Sequence, residues 1–164
     1  MKRLSLCIVV ILASVLGACA VTPPFSADEI VKVDRSLMPE QASSDAVRGT
    51  QVLWGGVIIG AINLPEHTDF NVLFYPLDSS QRPDVDAKPQ NRFIVRYSGY
   101  LETMVYAKGR EITVLGSVQE AEDGKVGDAP YRFPVIKADR VYLWPVRGDS
   151  RVHFGVGVGI GVHM

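Results

Sequence analysis

Few side chains in this sequence have the type and spacing to do chemistry. The three histidines, His67, His153 and His163, show no metal-ligand spacing, and no H-E-x-x-H or paired-cysteine motif accompanies them. They read as surface or loop residues. Asp84 and Asp86 alternate in a polar stretch, without the glycine and closing glutamate of an EF-hand. Ser98 precedes Gly99, yet no G-x-S-x-G elbow frames it as a nucleophile. Glu122 and Asp123 sit where turn chemistry explains them. Tyr97, Tyr100 and Tyr106 have the type to line a ligand-stacking groove, but alternating aromatics in a small barrel are expected to fill its core. No catalytic set, cofactor motif or metal site is therefore expected, and a hydrolase reading lacks a nucleophile–base pair. Of the two cysteines, Cys7 and Cys19, only Cys19 has neighbours that specify a chemistry.

The elements around Cys19 explain that chemistry. Met1, Lys2 and Arg3 make a basic start, and residues 4–16 are apolar apart from Ser5 and Ser14. This run falls short of the roughly 20 residues that cross a bilayer. A basic start, a short apolar centre and small residues before a cut describe a secretory signal peptide, residues 1–18. The cut-site residues Leu16, Gly17, Ala18 and Cys19 look like a bacterial lipobox. That resemblance implies that the Cys19 thiol takes a diacylglyceryl group and becomes the first mature residue. Several acyl chains, at about 0.8 kcal/mol per buried methylene, hold a protein on a membrane where one chain would not. Ala20 follows, not the aspartate that retains lipoproteins at the inner membrane in enterobacteria-like sorting. By analogy the address is the outer membrane, with the protein facing the periplasm.

Charge and length narrow the classes further. Removing Lys2 and Arg3 takes 17 basic residues to 15 against 18 acidic ones, a net charge near −3. No basic patch stands out, so nucleic acid and anionic head groups are poor partners. Cys7 leaves with the signal and Cys19 is modified, so no internal disulfide is expected despite an oxidising compartment. The remaining length suffices for one domain with a packed core.

Residues 19–45 read as a lipidated tether containing a short helix. Pro23 and Pro24 favour an extended start, Ser26 and Glu29 match a capping box, and Pro39 ends the helix. From residue 46 to 164 the pattern is β. Val52 and Trp54 share one parity before Gly55 and Gly56, a pair that marks a bulge or bend. Phe70, Val72 and Phe74 define a second strand, then Phe93, Val95 and Tyr97 a third. Ile112, Val114 and Val118 give a fourth strand, broken at Gly116. A hairpin turn is expected at Glu122, Asp123, Gly124 and Lys125. Residues 131–135 and 141–144 make a fifth strand, bent near 137–139. The 99–108 stretch is expected to hold a short helix. The fold class expected is all-β: a small OB-like barrel of five to six antiparallel strands with one short helix, or alternatively a β-sandwich.

Several ordered segments resemble the Slp family, the starvation-inducible outer-membrane lipoproteins of proteobacteria. They are Val47, Arg48 and Gly49; Trp54, Gly55 and Gly56; Tyr75, Pro76, Leu77 and Asp78 with Arg82 and Pro83; and Ser98, Gly99, Tyr100 and Leu101. Residues 108–116, Gly124 to Gly127 with Tyr131, and finally Trp144 continue the match. Leu101, Glu102 and Thr103 depart from the family's Leu-Asp-Pro at that turn. The resemblance implies a non-enzymatic lipoprotein held by Cys19 in the outer membrane and associated with starvation or envelope stress. It supplies no catalytic residues.

The last stretch has its own pattern. Val152, Phe154, Val156, Val158, Ile160 and Val162 share one parity; Gly155, Gly157, Gly159 and Gly161 share the other. A strand with one bulky and one bare face lets another backbone approach closely, and packing against its own barrel is the expectation. Contact with an envelope protein or self-association is the alternative. Two functional readings remain: a membrane-tethered protein acting by contact with envelope components, and a binding module for a small molecule or glycan on the barrel face.

Overall fold

The computed structural model describes residues 22–148. Cys19 and the Gly-alternating stretch with His153 and His163 lie outside them. The alternation seen in the sequence closes into a barrel of five strands in the order β1-β2-β3-β7-β4. These are β1 (Gln51–Asn63), β2 (His67–Tyr75), β3 (Arg92–Ser98), β4 (Glu111–Val118) and β7 (Val135–Leu143), while β5 (Glu122–Val126) and β6 (Ala129–Phe133) form a separate hairpin. The small β-barrel expected from the alternation is the fold, and closure excludes the sandwich.

Four details differ from the sequence expectations. The β3–β7 pair is parallel, Ile94 opposite Val135 and Tyr97 opposite Ala138, while the other barrel pairs are antiparallel. The described residues contain short 3-10 turns and no α-helix. Ser26 and Glu29 do form the reciprocal capping box, yet only one turn follows before the backbone of Asp34 bonds to Gln51. Residues 99–110 form a plug of turns rather than a helix. The expected fifth strand is two strands, β6 and β7, separated at Pro134, which lacks the N–H to continue a ladder. The hairpin turn falls on Gly127 and Asp128, between paired Val126 and Ala129. Gly127 has φ +60, as a two-residue loop with glycine first requires. Gly124 instead sits in β5 under the Phe133 ring, where a Cβ would come within 2.9 Å.

Inward parity builds the core: Val52, Trp54 and Ile58 from β1, Phe70, Val72 and Phe74 from β2, Phe93 and Val95 from β3, Ile112 and Val114 from β4, and Ile136 from β7. Trp54 meets Phe74 and Phe93 edge-on, with ring centroids 6.1 and 5.3 Å apart. Its indole N–H donates to the Leu37 carbonyl at 2.9 Å, which ties the chain preceding the barrel to the core. Leu37, Ala42 and Val47 join the same core, as do Leu101 and Tyr106 from the plug.

A second, smaller cluster lies on the outer face of β1, β4 and β7, where Phe25 and Ile30 pack on Leu53, Leu115 and Tyr142. The residues expected to tether the barrel are thus docked on it from Phe25 onward. Among the described residues no helix is long and apolar enough to cross a membrane.

Candidate functional site

Outward-facing polar residues of adjacent strands line up because register fixes parity. Asp69 of β2 stands opposite Arg96 of β3, which stands opposite Lys137 of β7. One step along, His67 faces Ser98. Together with Arg48, Glu66 and residues 119–122 they line a charged groove of about 490 Å³.

Its electrostatics are dominated by Arg96. The guanidinium donates to Asp69 through Nε at 3.0 Å and Nη2 at 2.7 Å, and reaches Glu122 at 2.9 Å. The hydrogen bonds to Asp69 raise the pKa of Arg96 above its ordinary value, against the effect of its partial burial. His67 Nε2 lies 3.5 Å from Asp69, beyond a good hydrogen bond, and is buried without a hydrogen-bond partner among the described residues. Lys137 has no ion-pair partner among the described residues and is exposed. A groove of this kind can hold a polar group through Lys137, with Arg96 fixed as a rigid wall.

The other residues singled out in the sequence do not converge on this groove. Tyr106 packs on Phe70, ring centroids 5.4 Å apart, and Tyr97 also lies against the core. Burial and the neighbouring Tyr97 raise the pKa of Tyr106, with Arg110 opposing them. Tyr100 is exposed and its hydroxyl meets Glu102. The three tyrosines therefore share no stacking face. Asp84 accepts the backbone N–H of Asp86 in a local turn. Glu122 is bound to Arg96 and Asp123 to Arg132. No three His, Cys, Asp or Glu side chains among the described residues group as a metal site.

The attachment side shows a built clamp that the sequence does not reveal. The Gln81 side chain grips the backbone of Phe25 from both sides, accepting from its N–H at 3.0 Å and donating to its carbonyl at 2.9 Å. Arg140 stacks over the Phe25 ring at 4.6 Å and bonds to Glu29 and to the carbonyl of Pro24. Gln81 and Arg140 lie 56 and 116 residues from their partners in the chain, too far for any local signal. Beside the clamp, Ile30, Leu37, Met38, Leu53, Trp54 and Leu77 line a cavity of about 500 Å³ that also meets Asp34, Arg35 and Asp78.

Comparison with known proteins adds what geometry alone does not. The family model described as the outer membrane lipoprotein Slp family matches residues 16–156. Outer membrane protein Slp of Escherichia coli (strain K12) is 28% identical over 137 residues, covering 83% of this chain and 72% of that protein. The uncharacterized lipoprotein YeaY of the same strain is 25% identical over 132 residues, 80% of this chain and 68% of that one. A Haemophilus influenzae protein is 37% identical over 91 residues, covering 55% of this chain and 49% of that one. Among solved structures, a small single-stranded DNA-binding protein from Streptomyces coelicolor superposes with a TM-score of 0.41 at 17% identity, covering 61% of this chain and 98% of that one. That likeness is too distant to bear on this chain.

Proposed function

This chain belongs to the outer membrane lipoprotein Slp family, and from that premise we propose that Cys19 carries the lipid and that the barrel acts by contact with envelope components at the membrane surface. Its setting is starvation or envelope stress, and its action is binding rather than catalysis. Lipid-anchored, outer-membrane localisation comes with the family.

The observation that carries the contact reading is the clamp on Phe25. Phe25 is 1% exposed and lies six positions after Cys19. Six extended residues span at most about 20 Å. A barrel held that closely works next to its own membrane, not across the periplasm. The charged groove beside Lys137 supplies a polar surface for such contact.

The test separates anchoring from reach. Cys19→Ser, with the signal kept, is expected to move the protein from the membrane to the soluble periplasmic fraction and to abolish rescue of a deletion strain under starvation. Inserting a flexible Gly/Ser linker of about 20 residues after Ala20, with a reach near 25 Å, is expected to leave the protein lipidated yet weaken rescue. Full rescue by soluble Cys19→Ser would sink the reading.

A further inference from the structure

The end of the barrel that carries the β1–β2 turn is unusually apolar for an exposed surface. Ile62 is 57% exposed, Tyr100 68% and Met104 84%, and Leu64 and Val105 are exposed beside them. Hydrogen bonds hold these residues at one place. The Thr68 hydroxyl shares its one proton between Asn63 Oδ1 at 2.6 Å and the Gly99 carbonyl at 3.0 Å, and accepts from the N–H of Leu101 at 3.0 Å. The Gly99 N–H also donates to the carbonyl of Glu66. The β1–β2 turn and the plug therefore form one surface. Contiguous exposed apolar surface of this kind marks something that covers it.

The chain's own continuation leaves the barrel beside this surface. One guanidinium joins the two: Arg110 donates to the Val105 carbonyl at 3.1 Å and to the Trp144 carbonyl at 2.9 Å. Four residues later the described chain reaches Gly148, with Arg147 bonded to Pro83 and Glu111. Residues 149–164 follow, and they carry Val152, Phe154, Val156, Val158, Ile160 and Val162 on one parity. At up to about 3.3 Å per residue, this length is ample to cross the end of the barrel.

We propose that residues 152–162 dock on the apolar end formed by Ile62, Leu64, Tyr100, Met104 and Val105. Three features favour this occupant over a second copy or the bilayer. The segment starts a few residues from the patch, so its effective concentration there is on the order of millimolar without any partner. Its bulky parity is wholly apolar, matching the patch. Its glycine parity lets the backbone lie flat against whatever crosses it. The docking does not depend on lipidation, so its failure and the failure of the anchoring proposal are separate outcomes.

The test uses the full lipidated chain, oxidised in intact cells, with Met104→Cys combined with Val156→Cys. An intramolecular disulfide is expected, seen as a mobility shift without reductant and as a linked peptide pair by mass spectrometry. Lys88→Cys with Val156→Cys is the control. Lys88 is exposed and lies beside Gln90, which bonds to Phe74 at the opposite end of β2 from His67 and the plug. It is five residues from Pro83, the partner of Arg147, so a freely moving segment would reach it as well. The control pair is expected to give little product. Equal yields from both pairs would overturn the proposal, as would covalent dimers, which would assign the patch to a second copy. A Met104→Cys thiol that fails to pair, and is shielded from a water-soluble maleimide only on phosphatidylethanolamine–phosphatidylglycerol vesicles, would assign it to the bilayer.

Discussion

Glu111 shows how much of this fold rests on single polar groups. It accepts from Arg82 at 2.6 Å and from Arg147 at 2.7 Å, tying the start of β4 to the 77–83 loop and to the chain beyond Trp144. Burial acts to raise its pKa, but the hydrogen bonds from Arg147 and Arg82, with their charges, outweigh it and leave the pKa below its ordinary 4.5. A carboxyl whose pKa is lower folded than unfolded adds stability above the unfolded value and loses it as pH falls through the folded one. Glu111→Gln is therefore expected to lower stability at neutral pH and to flatten its decline below about pH 4.5; urea melts between pH 3 and 7 measure both. Thr113 makes a different point about legibility. Its parity opposes Ile112 and Val114, so the sequence places it outward, yet it is fully buried, donating to Gln81 and accepting from the Trp144 indole. What covers it arrives from 32 and 31 residues away, beyond any periodicity.

At the scale of elements, the glycines of β1 and β4 separate two jobs. A Cβ on Gly56 would fall 2.1 Å from the Leu73 carbonyl oxygen, and one on Gly116 would fall 2.3 Å from that of Lys137. Both obstacles are backbone, which cannot swing aside. Gly60, next to the register shift in β1, has open space around the same position. Gly56→Ala is expected to cost about 3 kcal/mol or prevent folding, whereas Gly60→Ala should stay within about 0.5 kcal/mol of the parent; thermal melts of the pair decide. The sequence marks Gly55 and Gly56 as a bulge or bend, but both pair in regular register with β4 and β2, and the register shift of β1 falls between Ile58 and Gly60. The sequence does not tell Gly124 from Gly127 as the hairpin turn, since each lies next to an aspartate. Phe133 settles that by packing over Gly124. Nor does alternation reveal strand direction, so the parallel β3–β7 pair was out of its reach.

Across the whole molecule, the barrel and the segment before it stand as one body. Phe25→Ala removes the ring between Arg140 and Leu115. It is expected to lower stability by about 3 kcal/mol and, before any global unfolding, to open residues 26–36 to proteolysis; timed digestion followed by mass spectrometry reads the cut sites. Fold class and family were legible because they rest on alternation and on ordered motifs spread through the chain. The clamp and the groove were not, because each is assembled from residues of several strands whose register only the closed barrel sets.

The parallel pair has a consequence for how the molecule comes into being. Among the described residues β7 is the last strand, and it joins β3 to β4. Until it arrives, β1, β2, β3 and β4 make an open ribbon with unpaired edges on both outer strands. Non-local pairing of this type is slow, since a long loop must close before any contact rewards it. Barrel closure therefore waits on β7, and until β7 is captured the open edges of β3 and β4 are templates for aggregation.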